Sequence, residues 1–154
     1  MMRFQTYSLV LLRLALGWLF FYAGITKILN PEWSAAGYLK GAKTFSGLYQ
    51  WLSGPSALPV INFLNEWGLT LIGISLILGV GVRASSYAGA LLMALYYFPV
   101  LDFPFIGTHS YIVDEHIIYI ISFWVLGVFR AGRMFGIDAR TGSILPERFR
   151  NLFG

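Results

Sequence analysis

Residues 8–29 decide how the rest of the chain is read; they run SLVLLRLALGWLFFYAGITKIL. The stretch is apolar except for two cations, Arg13 and Lys27. On a helix with 100° per residue, both cations fall within about 40° of one line, together with Gly17, Phe20 and Gly24. A cation in hydrocarbon costs about 2.5 to 3.5 kcal/mol, so this face is predicted to contact protein, with the glycines allowing another helix to approach closely.

The composition is typical of an integral membrane protein. Hydrophobic residues make up 57% of the 154 residues and charged residues only 12%, about half the charged share of a soluble domain. The chain has no Cys, which excludes a thiolate nucleophile, a disulfide relay and Cys-ligated zinc or iron–sulfur sites within it. No segment indicates haem or flavin binding. The net charge of +4 comes mostly from cations beside apolar segments, so it indicates membrane topology and no nucleic-acid binding.

Four apolar segments are long enough to cross a hydrocarbon core of about 30 Å. They are residues 8–29, 62–82, 84–101 and 113–129. They predict an all-α integral membrane four-helix bundle, with residues 1–154 forming one membrane domain. The first segment is interpreted as a retained helix and not as a cleaved signal, because Arg13 interrupts it and more spans follow.

The basic residues predict the orientation. Arginines flank one end of the spans and lysines flank the other: Arg3, Arg83, Arg130, Arg133, Arg140, Arg148 and Arg150 against Lys27, Lys40 and Lys43. The positive-inside rule then puts both termini in the cytoplasm of a plasma membrane protein. The loop 30–61 is predicted to be outside, and residues 130–154 form a cytoplasmic tail.

The loop 30–61 combines aromatic residues with two lysines and several glycines. Its rings are Trp33, Tyr38, Phe45, Tyr49 and Trp51. This mixture predicts an interfacial or re-entrant helical segment whose rings lie at headgroup depth. Two roles stay open: a lid packed on the bundle for stability, or a lid that contacts a substrate.

Glu66 stands near the start of the second span, about 25 Å before Arg83 on a helix that rises 1.5 Å per residue. Lys27 stands at a similar height on the first span, which predicts a Lys27–Glu66 ion pair near the outer surface. A purely structural pair explains these residues as well as a functional one does, because buried charges seek partners wherever they occur.

His116 lies inside the fourth apolar segment and shares a helix face with Tyr119. Its predicted height above Arg130 is about 21 Å, close to that of Lys27 and Glu66. An imidazole beside a carboxylate and a phenol can move protons or bind a carbonyl or an anion. We therefore predict Glu66 and His116 as catalytic residues and Lys27 and Tyr119 as substrate-binding residues. The alternative for His116 is a satisfied histidine of the core.

A metal site is a second interpretation of the same region. His109, Asp114, Glu115 and His116 lie close in sequence, but their spacing matches no tight ligand motif. A bis-histidine haem is disfavoured because His109 falls in a loop. Asp114 is also explained as an acid at a helix N-terminus. The site is accordingly predicted without a metal.

Arg13 lies near the cytoplasmic side, where no span offers an acidic residue at its depth. The nearest acidic candidate is Asp138, which follows the last span. Both are predicted to be structural, with Arg13 docking the tail.

Taken in order, these residues resemble the DoxX/DoxD family of small four-helix membrane proteins. The resembling positions are Arg13, Gly17, Phe21, Gly24 and Lys27, Glu66, LILGVGVR at 76–83, His116, and Ala131-Gly132-Arg133 with Gly136-Ile137-Asp138. The resemblance implies several functions. DoxD-type members form the large subunit of thiosulfate:quinone oxidoreductase and act with a smaller subunit, which nothing in this chain resembles. Other members are linked to thiol and oxidative-stress systems, and related four-helix proteins serve as cargo receptors or assembly factors.

Three hypotheses follow. The first is a membrane subunit of a quinone-linked oxidoreductase that oxidises thiosulfate or a related sulfur anion at an outer-side site, with quinone as cofactor and a small subunit or second copy as partner. The second is a non-catalytic scaffold, assembly or cargo-binding protein that uses the aromatic outer loop. Small-solute transport is weaker, because four helices enclose little room. The lack of Cys counts against an enzymatic function, whereas the polar residues buried at one depth favour it. The oxidoreductase is our first hypothesis.

Overall fold

The computed structural model describes residues 3–107 and 110–141, and these are mostly helical. The helices are α1 (Arg3–Ile28), α2 (Ala36–Lys40), α3 (Ser46–Leu52), α4 (Leu58–Leu78), α5 (Val82–Val100), α6 (Glu115–Val128) and α7 (Asp138–Thr141). A short 3-10 turn, Ala131–Arg133, precedes α7.

Three two-residue strands lie between α5 and α6. They are β1 (Leu101–Asp102), β2 (Phe105–Ile106) and β3 (Ser110–Tyr111), paired antiparallel in the order β1-β2-β3. These strands are the departure from the all-α class predicted from the sequence. Their pairing gives hydrogen-bond partners to main-chain groups of this connection.

The four long helices, α1, α4, α5 and α6, pack around one core. α1 packs along α4 and α5 packs along α6, while contacts of α4 with α5 and of α1 with α6 close the group. The core side chains include Leu16 and Phe20 of α1, Leu76 of α4, Met93 of α5 and Phe123 of α6. The Phe20 and Phe123 rings meet edge to face with centroids 4.9 Å apart, a preferred aromatic geometry.

Glycines let α1 and α4 approach closely. A Cβ atom on Gly17 would lie 2.9 Å from Cγ1 of Ile77, and one on Gly73 would lie 2.7 Å from Cβ of Phe21. The buried residues of α1 are Arg13, Leu16, Gly17, Phe20 and Gly24. The protein-facing side of the first helix, predicted from its glycines and Arg13, is confirmed.

The outward surface of the long helices is apolar. Exposed large side chains there include Leu11, Trp18, Tyr22, Phe63, Trp67, Leu71, Leu91, Ile121 and Trp124. Soluble monomers rarely expose contiguous apolar patches beyond a few hundred Å², whereas a surface in contact with lipid is apolar. Among the described helices, α1 and α4 are long and apolar enough to cross a membrane, and α6 is apolar but shorter, with 14 residues.

Arg13 is buried at the tail end of the bundle, which is the end that carries the α4–α5 turn and residues 130–141. Its side chain is 2% exposed. Its Nη1 donates hydrogen bonds to the carbonyls of Ala131 at 2.6 Å and Met134 at 3.0 Å. The negative charge of Asp138 also acts on it. The guanidinium thus fastens the segment after α6 to α1.

Asp138 connects the same segment to the start of α5. Its carboxylate is 3% exposed and accepts hydrogen bonds from the backbone N–H of Gly81 at 2.8 Å and of Val82 at 3.1 Å. The first N–H groups of a helix have no partner within the helix, so a side-chain acceptor is needed there. Arg13 and Asp138 thus both contact main-chain groups at this end of the bundle.

Candidate functional site

A cavity of about 410 Å³ lies at the loop end of the bundle, opposite the tail end. We call it the polar cavity; its polar and aromatic lining residues are Lys27, Trp33, Ser34, Tyr38, Asn65, Tyr96, Glu115 and His116. All four long helices and the loop 30–61 contribute to it. Its volume falls in the range of about 300 to 1,000 Å³ that is usual for small-molecule sites.

Asp114 holds His116 in the first turn of α6. Oδ1 of Asp114 accepts hydrogen bonds from the backbone N–H of His116 at 3.0 Å and of Ile117 at 3.3 Å, as an N-cap residue does. Its Oδ2 lies 2.6 Å from Nδ1 of His116. A carboxylate at Nδ1 favours a hydrogen on that nitrogen. Nε2 is therefore the ring nitrogen left for a ligand, because it makes no hydrogen bond within the described residues.

Lys27 reaches the cavity from the end of α1. Its Nζ lies 5.1 Å from the centroid of the Trp33 ring and 5.9 Å from that of Tyr96, a cation–π arrangement. The charge of Glu66 acts on Lys27, but the direct ion pair predicted from the sequence is not among the ion pairs of the described residues. The two rings take the place that the carboxylate was expected to fill. The N–H groups of Lys27 remain available to an anion or a carbonyl oxygen.

Asn65, Tyr96 and Tyr38 form one wall of the polar cavity. The Tyr96 hydroxyl donates to Oδ1 of Asn65, and the Tyr38 hydroxyl donates to the main-chain carbonyl of Tyr96. Nδ2 of Asn65 donates to the carbonyl of Ile61 at 2.9 Å. The Tyr96 ring meets the His116 ring edge to face at 6.1 Å. The wall therefore presents ring faces whose polar ends are already paired.

The loop 30–61 is fastened over the cavity by carbonyl groups at the end of α5. Pro99 has no N–H, so the carbonyl of Leu95 lacks its usual helical donor. The hydroxyl of Tyr49 donates to that carbonyl at 2.9 Å. Thr44 Oγ1 similarly donates to the carbonyl of Leu101 at 2.6 Å. The loop is thus a packed roof, and its residues Trp33 and Tyr38 line the cavity.

Burial changes the acidity of two phenols of this loop. It raises the pKa of Tyr38 to about 12, and the nearby Tyr49, Asp114 and Glu115 act in the same direction. Burial also raises the pKa of Tyr49. Both hydroxyls therefore stay protonated at physiological pH and serve as hydrogen-bond donors.

The structure brings two of the four predicted site residues to the polar cavity, Lys27 and His116. Glu66 is half-buried and is not among the lining residues. Tyr119 does not line the cavity either; its ring packs edge to face on Phe20 with centroids 6.1 Å apart. Glu66 and Tyr119 therefore lie beside the site and do not form its surface.

The prediction from sequence did not assign the other lining residues to the site, among them Trp33, Tyr38, Asn65, Tyr96 and Glu115. Asn65 immediately precedes the conspicuous Glu66, and one residue on a helix turns the side chain by about 100°. The density of rings in the loop 30–61 was a usable signal for Trp33 and Tyr38. Pro99 frees the carbonyl of Leu95, the residue before Tyr96, so it was a signal that a neighbouring segment contacts this end of α5.

The alternative metal set has no counterpart in the described part of the chain. No group of three or more His, Cys, Asp or Glu side chains is arranged there to hold a metal ion. His109, a member of the set, lies outside the described residues.

Comparison with known proteins shows to which family the chain belongs. The DoxX family model matches residues 8–101, which is more than half of the 154 residues. No curated protein and no solved structure matches the chain. The matched region begins in α1 and ends just after α5, so it includes Lys27, Asn65 and Tyr96 of the polar cavity. This chain belongs to the DoxX family of membrane proteins.

Proposed function

We propose that this chain is the membrane subunit of a quinone-linked oxidoreductase and that the polar cavity binds the quinone head group. The supporting observation is the meeting of Lys27, His116 and the rings of Trp33 and Tyr96 in one cavity. A quinone head is a flat ring with carbonyl oxygens at its edge, so it needs ring faces to pack against and donors at its rim. The cavity offers both.

The chain's own residues supply binding and proton transfer. A bound quinone would accept two electrons and two protons. His116, when protonated, donates from Nε2 to a carbonyl oxygen, and Asp114 on Nδ1 orients the ring. Lys27 stabilises negative charge on an oxygen of the ring. Glu115 is exposed at the cavity and passes protons from solvent.

We propose thiosulfate or a related small sulfur anion as the reductant, as the family resemblance implies. Two thiosulfate ions that join as tetrathionate release two electrons, and these reduce the quinone with two protons. Lys27 attracts the anion. Because the chain has no Cys to relay electrons, the anion must react close to the quinone, and we propose that a small partner subunit completes that part of the site.

We also propose that all four long helices cross the plasma membrane with both termini in the cytoplasm. The apolar outward surface and the distribution of basic residues support this. Because the chain has no Cys, single cysteines at Ser46 and Ala139, both exposed, report on the two ends. An impermeant thiol reagent on intact cells should label Ser46→Cys only; labelling of Ala139→Cys instead would reverse the orientation.

The test of the proposed function is quinone retention during purification in mild detergent. Mass spectrometry of extracted lipids should find a stoichiometric quinone with the parent and with Tyr119→Phe, whose ring lies outside the cavity lining. Lys27→Met and His116→Gln should retain much less, and His109→Gln should behave like the parent. A parent without quinone, or equal retention in all variants, contradicts the proposal.

One observation favours a second function, that of a non-catalytic scaffold. The exposed side chains at α3 include Phe45 at 60%, Leu48 at 54% and Trp51 at 67%. Such a patch suits a protein partner. A partner chain that copurifies with an empty cavity, and that Trp51→Ser releases, would select the scaffold over the oxidoreductase.

A further inference from the structure

A second, apolar space lies beside the polar cavity. This apolar chamber has a volume of about 110 Å³. Its aliphatic lining residues are Leu39, Leu52, Ile61, Leu64, Leu92 and Leu95. Four residues line both spaces: Ala35, Tyr38, Asn65 and Tyr96. The two spaces therefore adjoin at these four residues.

We propose that the apolar chamber binds the first part of a hydrocarbon tail on the ring compound whose head lies in the polar cavity. This inference rests on the proposed function and specifies the ligand class. The ligand is a lipid-soluble ring compound with a hydrocarbon tail, and a water-soluble ring is a poorer ligand.

The lining of the apolar chamber suits hydrocarbon. Its polar groups are already paired: the Tyr49 hydroxyl donates to Leu95, Nδ2 of Asn65 donates to Ile61, and the Tyr96 hydroxyl donates to Asn65. Water in the chamber would find few free partners. Apolar cavities of this kind stay dry and bind hydrocarbons or xenon.

The chamber also borders the outward surface of the helices. Leu64 of α4 and Leu95 of α5 line it and are 53% and 49% exposed. A tail that enters the chamber from the polar cavity therefore meets the apolar outward surface between α4 and α5. In the membrane this is the lipid side, so the head would reach the polar cavity while the longer tail stays in the bilayer.

The side chains shared by the two spaces mark where head and tail divide. Tyr38 and Tyr96 lie there with ring centroids 5.8 Å apart, and the Tyr96 hydroxyl donates a hydrogen bond to Asn65. Lys27 and His116 line the polar cavity on one side of these residues, and aliphatic residues line the apolar chamber on the other. An amphipathic ligand is the class that satisfies both sides at once.

The test compares two benzoquinones with the same substituted ring, one of which also carries a single prenyl group. Their affinities for the purified protein are measured by quenching of tryptophan fluorescence. In the parent, the prenyl group should raise the affinity by about tenfold, the ratio expected when roughly two methylene groups are buried. Leu92→Phe, which fills the chamber, should remove this gain and leave the affinity for the unprenylated ring unchanged.

The matched control is Leu91→Phe, because Leu91 is the preceding residue of α5, is 64% exposed and does not line the chamber. It should keep the full gain. Leu92→Ala enlarges the chamber and should keep or increase the gain, which guards against a folding defect in Leu92→Phe. An equal gain in the parent and in folded Leu92→Phe overturns the tail subsite while leaving the proposed function intact.

Xenon binding distinguishes a failure of the tail subsite from a failure of the proposed function. The parent and Leu91→Phe should bind xenon and Leu92→Phe should not, as measured by xenon NMR in detergent. If the unprenylated ring does not bind the parent, the proposed function fails; xenon binding that depends on Leu92 still supports a hydrocarbon subsite. Xenon binding that Leu92→Phe leaves unchanged overturns the subsite.

Discussion

Asp114 and His116 are joined twice within the first turn of α6. One carboxylate oxygen of Asp114 accepts the backbone N–H of His116 at 3.0 Å, and the other lies 2.6 Å from its ring Nδ1. Their side chains are 9% and 14% exposed, so solvent weakens this contact little. A single carboxylate therefore caps the helix and orients the imidazole, leaving Nε2 for the polar cavity that His116 lines.

This double role predicts that Asp114→Asn separates stability from activity. Asn caps helices about as well as Asp, so the free energy of unfolding should change by less than about 0.5 kcal/mol. The negative charge on Nδ1 is lost, so quinone reduction should fall by about tenfold or more. Thermal unfolding and quinone reduction are measured on the same preparation. Asp102→Asn, which removes an exposed acid, is the control, and full activity of Asp114→Asn would contradict the role given to His116.

The close approach of α1 and α4 predicts opposite effects for two glycines of α4. A Cβ on Gly73 would press against Phe21 at 2.7 Å, so Gly73→Ala should lower the unfolding free energy by about 1 to 3 kcal/mol. A Cβ on Gly68 would meet nothing within 4 Å, so Gly68→Ala should be neutral or stabilising. Thermal unfolding in detergent compares the two. Equal melting temperatures would show that the helices do not pack as described.

The tail end offers a second stability test. Asp138→Ala leaves the N–H groups of Gly81 and Val82 without an acceptor and removes the negative charge that acts on Arg13. The expected loss is about 3 to 5 kcal/mol, as for breaking a buried charged contact.

The control for this loss of stability is an exposed ion pair at the loop end of the bundle. Lys43 and Asp102 form an ion pair at 3.2 Å, with side chains 54% and 68% exposed. Asp102→Ala should therefore cost less than about 1 kcal/mol. Similar losses for the two alanine variants would rule out the anchoring role of Asp138.

Tyr38 predicts a pH dependence in the alkaline range. Burial raises its pKa from 10.0 to about 12, so folding favours the neutral phenol. Its contribution to stability is fully present below pH 10 and is lost as the pH rises through about 12. The ultraviolet absorbance of the parent and of Tyr38→Phe is titrated with pH. The difference between the two curves should show one phenol ionising near pH 12. Because the Tyr38 residue is 40% exposed, ionisation of its phenol at pH 10 would show that the hydroxyl itself is open to solvent.

The helix interface, and a role for Arg13 and Asp138 in contacts of the tail, could be inferred from the sequence for physical reasons. The 3.6-residue period puts Arg13, Gly17 and Gly24 on one face, and small residues allow close packing. A buried cation needs a partner, and Asp138 is the first acidic residue after the last span. These inferences depend on local periodicity and on charge balance, both of which a sequence displays.

The polar cavity could be predicted from the sequence only in part. Lys27 and His116 attracted attention because ionisable groups in apolar segments are costly. Glu66 was chosen by the same reasoning, yet the ring of Trp33 lies under Lys27 instead. The position of Trp33 depends on how a 32-residue loop folds back on α5, and no periodicity encodes that. Asn65 is uncharged and so gave no signal beside Glu66.

The central claim is that Lys27 and His116 bind a quinone head group in the polar cavity. Titration of a tailless benzoquinone into the purified protein, followed by tryptophan fluorescence, tests it most directly. Lys27→Met and His116→Gln should each weaken binding by about tenfold or more, since a hydrogen bond to a charged group contributes about 1.5 to 3 kcal/mol. Tyr119→Phe, which changes a residue outside the lining, should stay within about twofold of the parent. If the parent does not bind, or if the three variants bind alike, the polar cavity is not a quinone site.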